Sequence, residues 1–219
     1  MAAGGQTQRG ALGRRLVALF AGLLLFGASI ALLVRSGLGL DSWDVFHQGL
    51  AERTGMGLGT IVIGVGAVVL ALWIPLRQRP GIGTVANVIV VGPAVDLSLA
   101  ALATPENVVV RVAFMVAGIM TNAIATGLYI GAGLGPGPRD GLMTGLVSRG
   151  LSLRFVRTSI ELAVLGAGWV LGGTVGIGTL AYALSIGPLV HYLLPRLTIA
   201  DDRPLEARVD LREEEMAHD

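Results

Sequence analysis

Two stretches of this chain, 96 residues apart, are nearly identical in pattern, and that repetition fixes the plan on which the chain is built. Residues 37–53 read GLGLDSWDVFHQGLAER and residues 133–149 read GLGPGPRDGLMTGLVSR. Without a gap, Gly37, Leu38, Gly39, Asp44, Gly49, Leu50 and Arg53 recur as Gly133, Leu134, Gly135, Asp140, Gly145, Leu146 and Arg149. A second pair, GIGTVANVIVVGP at 81–93 and GIGTLAYALSIGP at 176–188, recurs at an offset of 95. The chain is therefore a duplication. With 53% apolar residues and a mean hydropathy of +0.72 it is far too apolar for a soluble domain. Its 33 glycines suit membrane helices, where glycine is commoner than in soluble ones.

A helix needs roughly 20 residues to cross about 30 Å of hydrocarbon. Six apolar runs are long enough, at 15–34, 58–76, 83–103, 112–131, 155–173 and 176–194. The first follows Arg14-Arg15 in the manner of a signal peptide. Its Ala21-Gly22 falls on Ala117-Gly118 in the same register, however, so it belongs to the repeat and is expected to be retained. The expected organisation is an N-terminal tail at 1–14, a three-span repeat at 15–106, a second at 107–197 and an acidic tail at 198–219. That last tail, with Glu213 to Glu215, reads as solvated and disordered.

All 16 basic residues are arginine. With the N-terminus inside, Arg9, Arg14, Arg15, Arg77, Arg79, Arg139, Arg149, Arg154, Arg157, Arg196, Arg203, Arg208 and Arg212 lie on the inner side, and Arg35, Arg53 and Arg111 outside. This bias places both termini in the cytoplasm. Three spans per repeat, an odd number, turn the second unit over. The expected fold class is an all-α membrane protein of six transmembrane helices in two inverted three-helix repeats. Trp73 and Trp169, equivalent near the ends of spans two and five, are expected at opposite interfaces.

Each repeat carries a segment too short to cross, at 41–54 and 137–150. Trp43, Phe46 and Leu50 in one, and Leu142 and Leu146 in the other, have helical spacing. Pro138 suits a first helical position. Two readings stand side by side: an amphipathic helix on each surface, or a re-entrant helix dipping in from each face. Irregular backbone at membrane depth is tolerated only where protein or a water-filled cavity covers it.

Several residues are candidates for a substrate or ion site. Asp44 and Asp140 are paired carboxylates that fit either a site near the pseudo-axis or a helix-capping role. Gly92-Pro93 and Gly187-Pro188 fall in the middle of spans three and six, where a break would expose backbone groups and a kink would serve packing. Three residues beyond each proline stand Asp96 and His191. Ionisable groups inside spans are rare and usually face a cavity or a partner, so Asp96 is the leading candidate. Arg157 and Glu161 are four apart on span five, suited to an ion pair, an anion site or a proton relay. Their equivalents in span two, Ile61 and Val65, are apolar. Arg139 stands where the first repeat has Trp43.

Enzyme signals are weak. With no cysteine there are no thiolate ligands, disulfides or Cys nucleophile, and the three histidines are not spaced as metal ligands. Gly37-Leu38-Gly39 lacks the strand–turn–helix setting of a dinucleotide site. No catalytic residue, cofactor, metal or nucleic-acid partner is expected. The expected partners are the lipid bilayer, a small-molecule substrate of undefined chemistry and, as an open alternative, a second copy of the chain.

The stretch Gly-Leu-Gly-x-x-x-x-Asp-Gly-Leu at 133–142, its partner at 37–44 and the two Gly-Ile-Gly-Thr … Gly-Pro segments resemble the YczE/YitT-like family of bacterial multi-pass membrane proteins. The resemblance covers about residues 14–197. Residues 135–143, GPGPRDGLM, are its most characteristic part. The counterpart Leu40-Asp41-Ser42-Trp43-Asp44 lacks the proline, and the chain is shorter than YitT-like relatives that carry a soluble C-terminal domain. The resemblance implies the cytoplasmic membrane and no assigned substrate. Duplicated units are a common plan of transporters. The function expected is a small secondary transporter or permease, and the alternative a non-transporting accessory protein that scaffolds or regulates a partner.

Overall fold

The computed structural model describes the backbone of residues 3–199 and the side chains of residues 11–199. The acidic tail lies, from residue 200 on, outside the described residues. Within them the chain forms helices joined by short turns: α1 (Ala3–Ser36), α2 (Ser42–Thr54), α3 (Leu58–Ala71), α4 (Trp73–Leu76), α5 (Ile82–Ala101), α6 (Val108–Gly131), α7 (Pro138–Val147), α8 (Leu153–Leu171) and α9 (Ile177–Leu197). The first helix runs back into the expected N-terminal tail.

Five stretches are long and apolar enough to cross a membrane: Ala11–Ser36, Leu58–Leu76, Ile82–Ala101, Val108–Gly131 and Ile177–Leu197. The expected run at 155–173 does form a helix, α8, of 19 residues, but Arg154, Arg157 and Glu161 break its apolarity. Five of the six expected spans are thus matched in length and composition, and the other in length alone.

The two opening helices of the repeats, α1 and α6, make the most extensive contact in the fold. Small residues let their backbones close in. A Cβ on Gly22 would lie 2.8 Å from the Tyr129 amide nitrogen, and one on Gly118 would lie 2.8 Å from Leu33 Cγ. Such close approach is how helices associate where lipid supplies no hydrophobic drive. A hydrogen-bonded chain crosses the same region: Tyr182 donates to Asn122 Oδ1 at 2.9 Å, and Asn122 Nδ2 donates to Ser29 Oγ at 2.9 Å. It ties α9, α6 and α1 together. Around it pack fully buried Leu19, Leu23, Ile30 and Val95 on one side and Leu33, Leu40 and Val45 on the other.

The recurring motifs bind each other across the repeats. The Gly178 amide donates to the Leu38 carbonyl at 2.7 Å, and the Gly83 amide to the Leu134 carbonyl at 2.8 Å. Each glycine turn of one repeat therefore receives the Gly-Ile-Gly-Thr helix start of the other. Gly39 and Gly135 sit in these turns at φ +118° and +124°, where a side chain would be strained and would strike the partner helix. The repeated arginines behave alike. Arg53 donates from Nε to the Leu171 carbonyl at 3.1 Å, and Arg149 donates to the Pro75 carbonyl, each closing the end of a helix in the other repeat.

The repeats differ where α8 lies. The α3–α5 contact has no counterpart of similar extent between α8 and α9. Instead α2 lies along α8, admitted by Gly168 and Gly173, whose added Cβ atoms would fall 2.4 Å from the Phe46 nitrogen and 2.1 Å from the Val45 oxygen. The two equivalent tryptophans have different surroundings. Trp169 is exposed, but Trp73 is buried against Gly141 and donates from Nε1 to the Pro138 carbonyl at 2.9 Å.

Candidate functional site

The site is built where the first turns of α2 and α7 meet. Asp41 is the N-cap of α2, in extended backbone, and its Oδ1 accepts the Asp44 amide at 2.7 Å. That capping bond satisfies one of the amides that every helix start leaves open. Asp41, Asp44 and His47 then follow at one-turn spacing on one face. All three are buried, Asp44 to 1% and His47 to 2% exposure. His47 Nδ1 lies 3.1 Å from Asp44 Oδ1.

From the other repeat comes Arg139, the second residue of α7. Pro138 fixes the entry to that helix, so Arg139 projects across to α2. Its guanidinium stands 3.5 Å from Asp44 Oδ1 and 3.9 Å from Asp41 Oδ2, and 5.0 Å from the centre of the Trp43 ring. Both ion-pair distances are longer than the roughly 2.7–2.9 Å of a tight charge-assisted bond. Asp140, the repeat partner of Asp44, is one residue on and accepts from the Tyr129 hydroxyl at 3.0 Å. Two buried polar atoms, Asp44 Oδ2 and Trp43 Nε1, have no hydrogen-bond partner among the described residues.

Burial governs the charges. It raises Asp41 to about 6, helped by the neighbouring Asp44 charge and opposed by Arg139. Burial also raises Asp44. His47 is lowered to about 3 by burial and then by Arg139, which keeps it neutral. For Arg139, burial acts downward and is outweighed by Asp41 and Asp44, so its affinity for its proton rises. Two carboxylates facing one guanidinium leave a net charge of minus one, and a single proton balances it.

A cavity adjoins this cluster. About 50 Å³ is open to the centres of water-sized spheres, several times the ~10–15 Å³ that one water needs. Its lining includes Trp43, His47, Asn87, Tyr129 and Arg139, which carry polar atoms, and apolar Phe26, Val62, Val69, Val88 and Val91.

Among the expected site residues, the structure brings Asp44 and Arg139 together, turns Asp140 to Tyr129 and leaves the others elsewhere. Asp96 does not line the cavity. Its Oδ1 accepts the Gly59 amide at 2.8 Å, so it caps the start of α3, whose own N-cap, Gly57, has no side chain to do so. Gly92 is buried where α5 crosses Gly59 of α3, and neither α5 at Pro93 nor α9 at Pro188 breaks. Gly187 and Pro188 face outward, with open space around Gly187, and His191 is exposed. Arg157 and Glu161 pair at 3.0 Å on an outward face of α8, away from the cavity. Asp41, His47 and Tyr129 were not among the expected residues. The i, i+3, i+6 spacing of Asp41, Asp44 and His47 is the signal that could have found the first two. Among the described residues no three His, Asp or Glu side chains are grouped so as to hold a metal ion.

A family model described as a family of unknown function, DUF6198, matches residues 13–195. The chain belongs to the DUF6198 family. It is 40% identical over 179 residues to an uncharacterized protein of Haemophilus influenzae, covering 81% of this chain and 82% of that one. It is 32% identical to the uncharacterized membrane protein YczE of Bacillus subtilis, covering 81% and 84%. A second Bacillus subtilis protein, the uncharacterized YyaS, is 25% identical over 80% of this chain and 89% of its own. No solved structure matches. The YczE likeness agrees with the resemblance read from the glycine motifs, and with five apolar helices it makes this DUF6198 member a membrane protein.

Proposed function

We propose that this protein is a small secondary transporter built from two inverted three-span repeats, with α2 and α7 as re-entrant helices whose first turns meet at the substrate site. The observation that carries the reading is the buried cluster of Asp41, Asp44, His47 and Arg139 beside a cavity, supplied by equivalent segments of both repeats. Buried ionisable groups in a membrane protein are costly and mark substrate or ion pathways. Binding at the repeat interface, between helix N-termini, is the plan of transporters with internal repeats. On this reading α8 is the sixth crossing, the arginine bias holds both termini in the cytoplasm, and the bilayer is the bacterial inner membrane. The net charge of the cluster makes a proton the natural coupling ion.

Purified protein in liposomes tests this. An imposed proton gradient should drive uptake of at least one small solute by the wild type and not by Asp44→Asn. Absence of coupled flux, together with a wild-type cellular phenotype for Asp44→Asn, overturns the transporter reading. Co-purification of a single stoichiometric partner alongside that result would establish the accessory role instead.

A further inference from the structure

The cavity wall carries donors and positive charge, and none of its lining residues is a carboxylate. Arg139 lines it, with five N–H donors on its guanidinium and, among the described residues, only one hydrogen bond, at 3.5 Å. Trp43 lines it too, and its buried Nε1–H has no acceptor among the described residues. The start of α7 faces the same space through Gly137, Pro138 and Arg139. Here the repeats differ. Asp41 closes the start of α2 with its own carboxylate, but Gly137 has no side chain to do the same for α7. An uncapped helix start flanked by an arginine and a free indole N–H is a setting for an anion. The same cavity is lined by Val62, Val69 and Val91, which present only hydrocarbon.

Asp41 and Asp44 stand at Arg139 but outside the cavity lining, and they compete with any anion for its charge. The other groups that face Arg139 are His47 from α2, Tyr129 from α6 and Tyr182 from α9, while Asp140 on its own helix accepts from Tyr129. From α3 and α5 the lining includes only apolar residues and Asn87. With both carboxylates ionised the cluster is net negative and repels an anion. A proton from solution on that pair removes one charge, and an incoming carboxylate restores it, so the buried charge is unchanged when both arrive together.

Resting on the transporter reading, we propose that the cavity beside Arg139 takes a small monocarboxylate with a short apolar tail, together with one proton on the Asp41–Asp44 pair. The tail lies against the valine wall, and the carboxylate accepts from Arg139 and Trp43 Nε1.

Calorimetric titration of the purified full chain in detergent tests this without requiring flux. Butyrate, butylammonium and butyramide have the same number of carbons and carry an anionic, a cationic and a neutral head group. Butyrate should bind, with proton uptake that approaches one above about pH 7, read from buffers of different ionisation heat, and on the order of a hundredfold more weakly at about pH 8 than at about pH 5.5. The other two should not bind. Trp43→Phe keeps the ring and should weaken butyrate about five- to tenfold, the worth of one hydrogen bond. Asp41→Asn should bind butyrate with less proton uptake. Arg139→Lys should weaken binding and Arg139→Gln abolish it; if the latter does not fold, Trp43→Phe and Asp41→Asn decide. Binding of butylammonium instead, or butyrate binding indifferent to Trp43→Phe and Arg139→Lys, overturns the proposal. Butyrate binding without flux leaves the site standing and removes the transporter, whereas coupled flux of another solute without butyrate binding does the reverse.

Discussion

Asp96 of α5 accepts a 2.8 Å hydrogen bond from the Gly59 amide, and so closes the start of a neighbouring helix. An ionisable side chain inside an apolar run suggests a transport site, and here it supplies the cap that Gly57 cannot. Removing an N-cap acceptor costs about 1 kcal/mol, and asparagine caps about as well as aspartate. Asp96→Ala should therefore lower stability by about that much in thermal unfolding, Asp96→Asn should be near neutral, and neither should change solute binding. Loss of binding in Asp96→Asn with normal stability would return Asp96 to the site.

The repeat was legible because identical residues recur at one offset, and glycine and proline mark the same turns in each copy. What each motif touches was not legible, because periodicity specifies a helix face and says nothing of a partner 140 residues away, as Leu38 is for Gly178. The site was half legible. Asp44, Asp140 and Arg139 stood out by comparing the copies. Asp41 and His47 did not, because their equivalents are Gly137 and Met143. Asymmetry hid them, although their spacing put them on one face. Arg157 and Glu161 do pair at i, i+4, one of the readings their spacing left open, and α8 turns that face outward.

The Arg139 cluster should be strongly coupled. Removing one partner of a buried pair leaves the other charge uncompensated, at a cost of about 3–5 kcal/mol. The long contacts and the 25% exposure of Arg139 place Arg139→Gln near the lower end, at about 3 kcal/mol. Asp44→Asn should recover part of this, with a coupling of about 1–2 kcal/mol in a double-mutant cycle of denaturant unfolding. Additive losses would mean that the two groups do not sense each other.

Asp41 and His47 impose opposite pH dependences. Folding raises Asp41 from 3.8 to about 6, so the folded chain holds the extra proton, and stability is lost as pH rises through that window. Folding lowers His47 from 6.5 to about 3, so the folded chain holds fewer protons, and stability is lost as pH falls from about 6.5 toward 3. The two partly cancel between about 4 and 6. His47→Gln removes the histidine term, so between those values its stability should fall more steeply with rising pH, or rise less, than that of the wild type. Parallel profiles would show that His47 is not held neutral.

The repeats are equivalent at Thr54 and Gly150, both exposed, the first the last residue of α2 and the second just beyond α7. The chain has no cysteine, so single cysteines introduced there label without background. If three spans separate the copies, Thr54→Cys should react with a membrane-impermeant maleimide from outside and Gly150→Cys only from within. Labelling of both from one side would rule out the inverted arrangement.

Glycines of similar appearance should respond in opposite directions. A Cβ on Gly141 would lie 1.9 Å from Trp73 Cζ2, and the indole is held by its bond to the Pro138 carbonyl. Overpacking against a fixed ring costs about 1–3 kcal/mol or more, so Gly141→Ala should unfold early or fail to fold, and it should disturb Arg139 two residues away. Gly187 lies inside α9 with open space where its side chain would be. There alanine restrains the unfolded chain and should add about 0.5–1 kcal/mol. If the Gly187-Pro188 step were a hinge, the same change would slow solute flux. A stabilised Gly187→Ala with undiminished flux places the moving parts elsewhere, at the turns where Gly39 and Gly135 meet the opposite repeat.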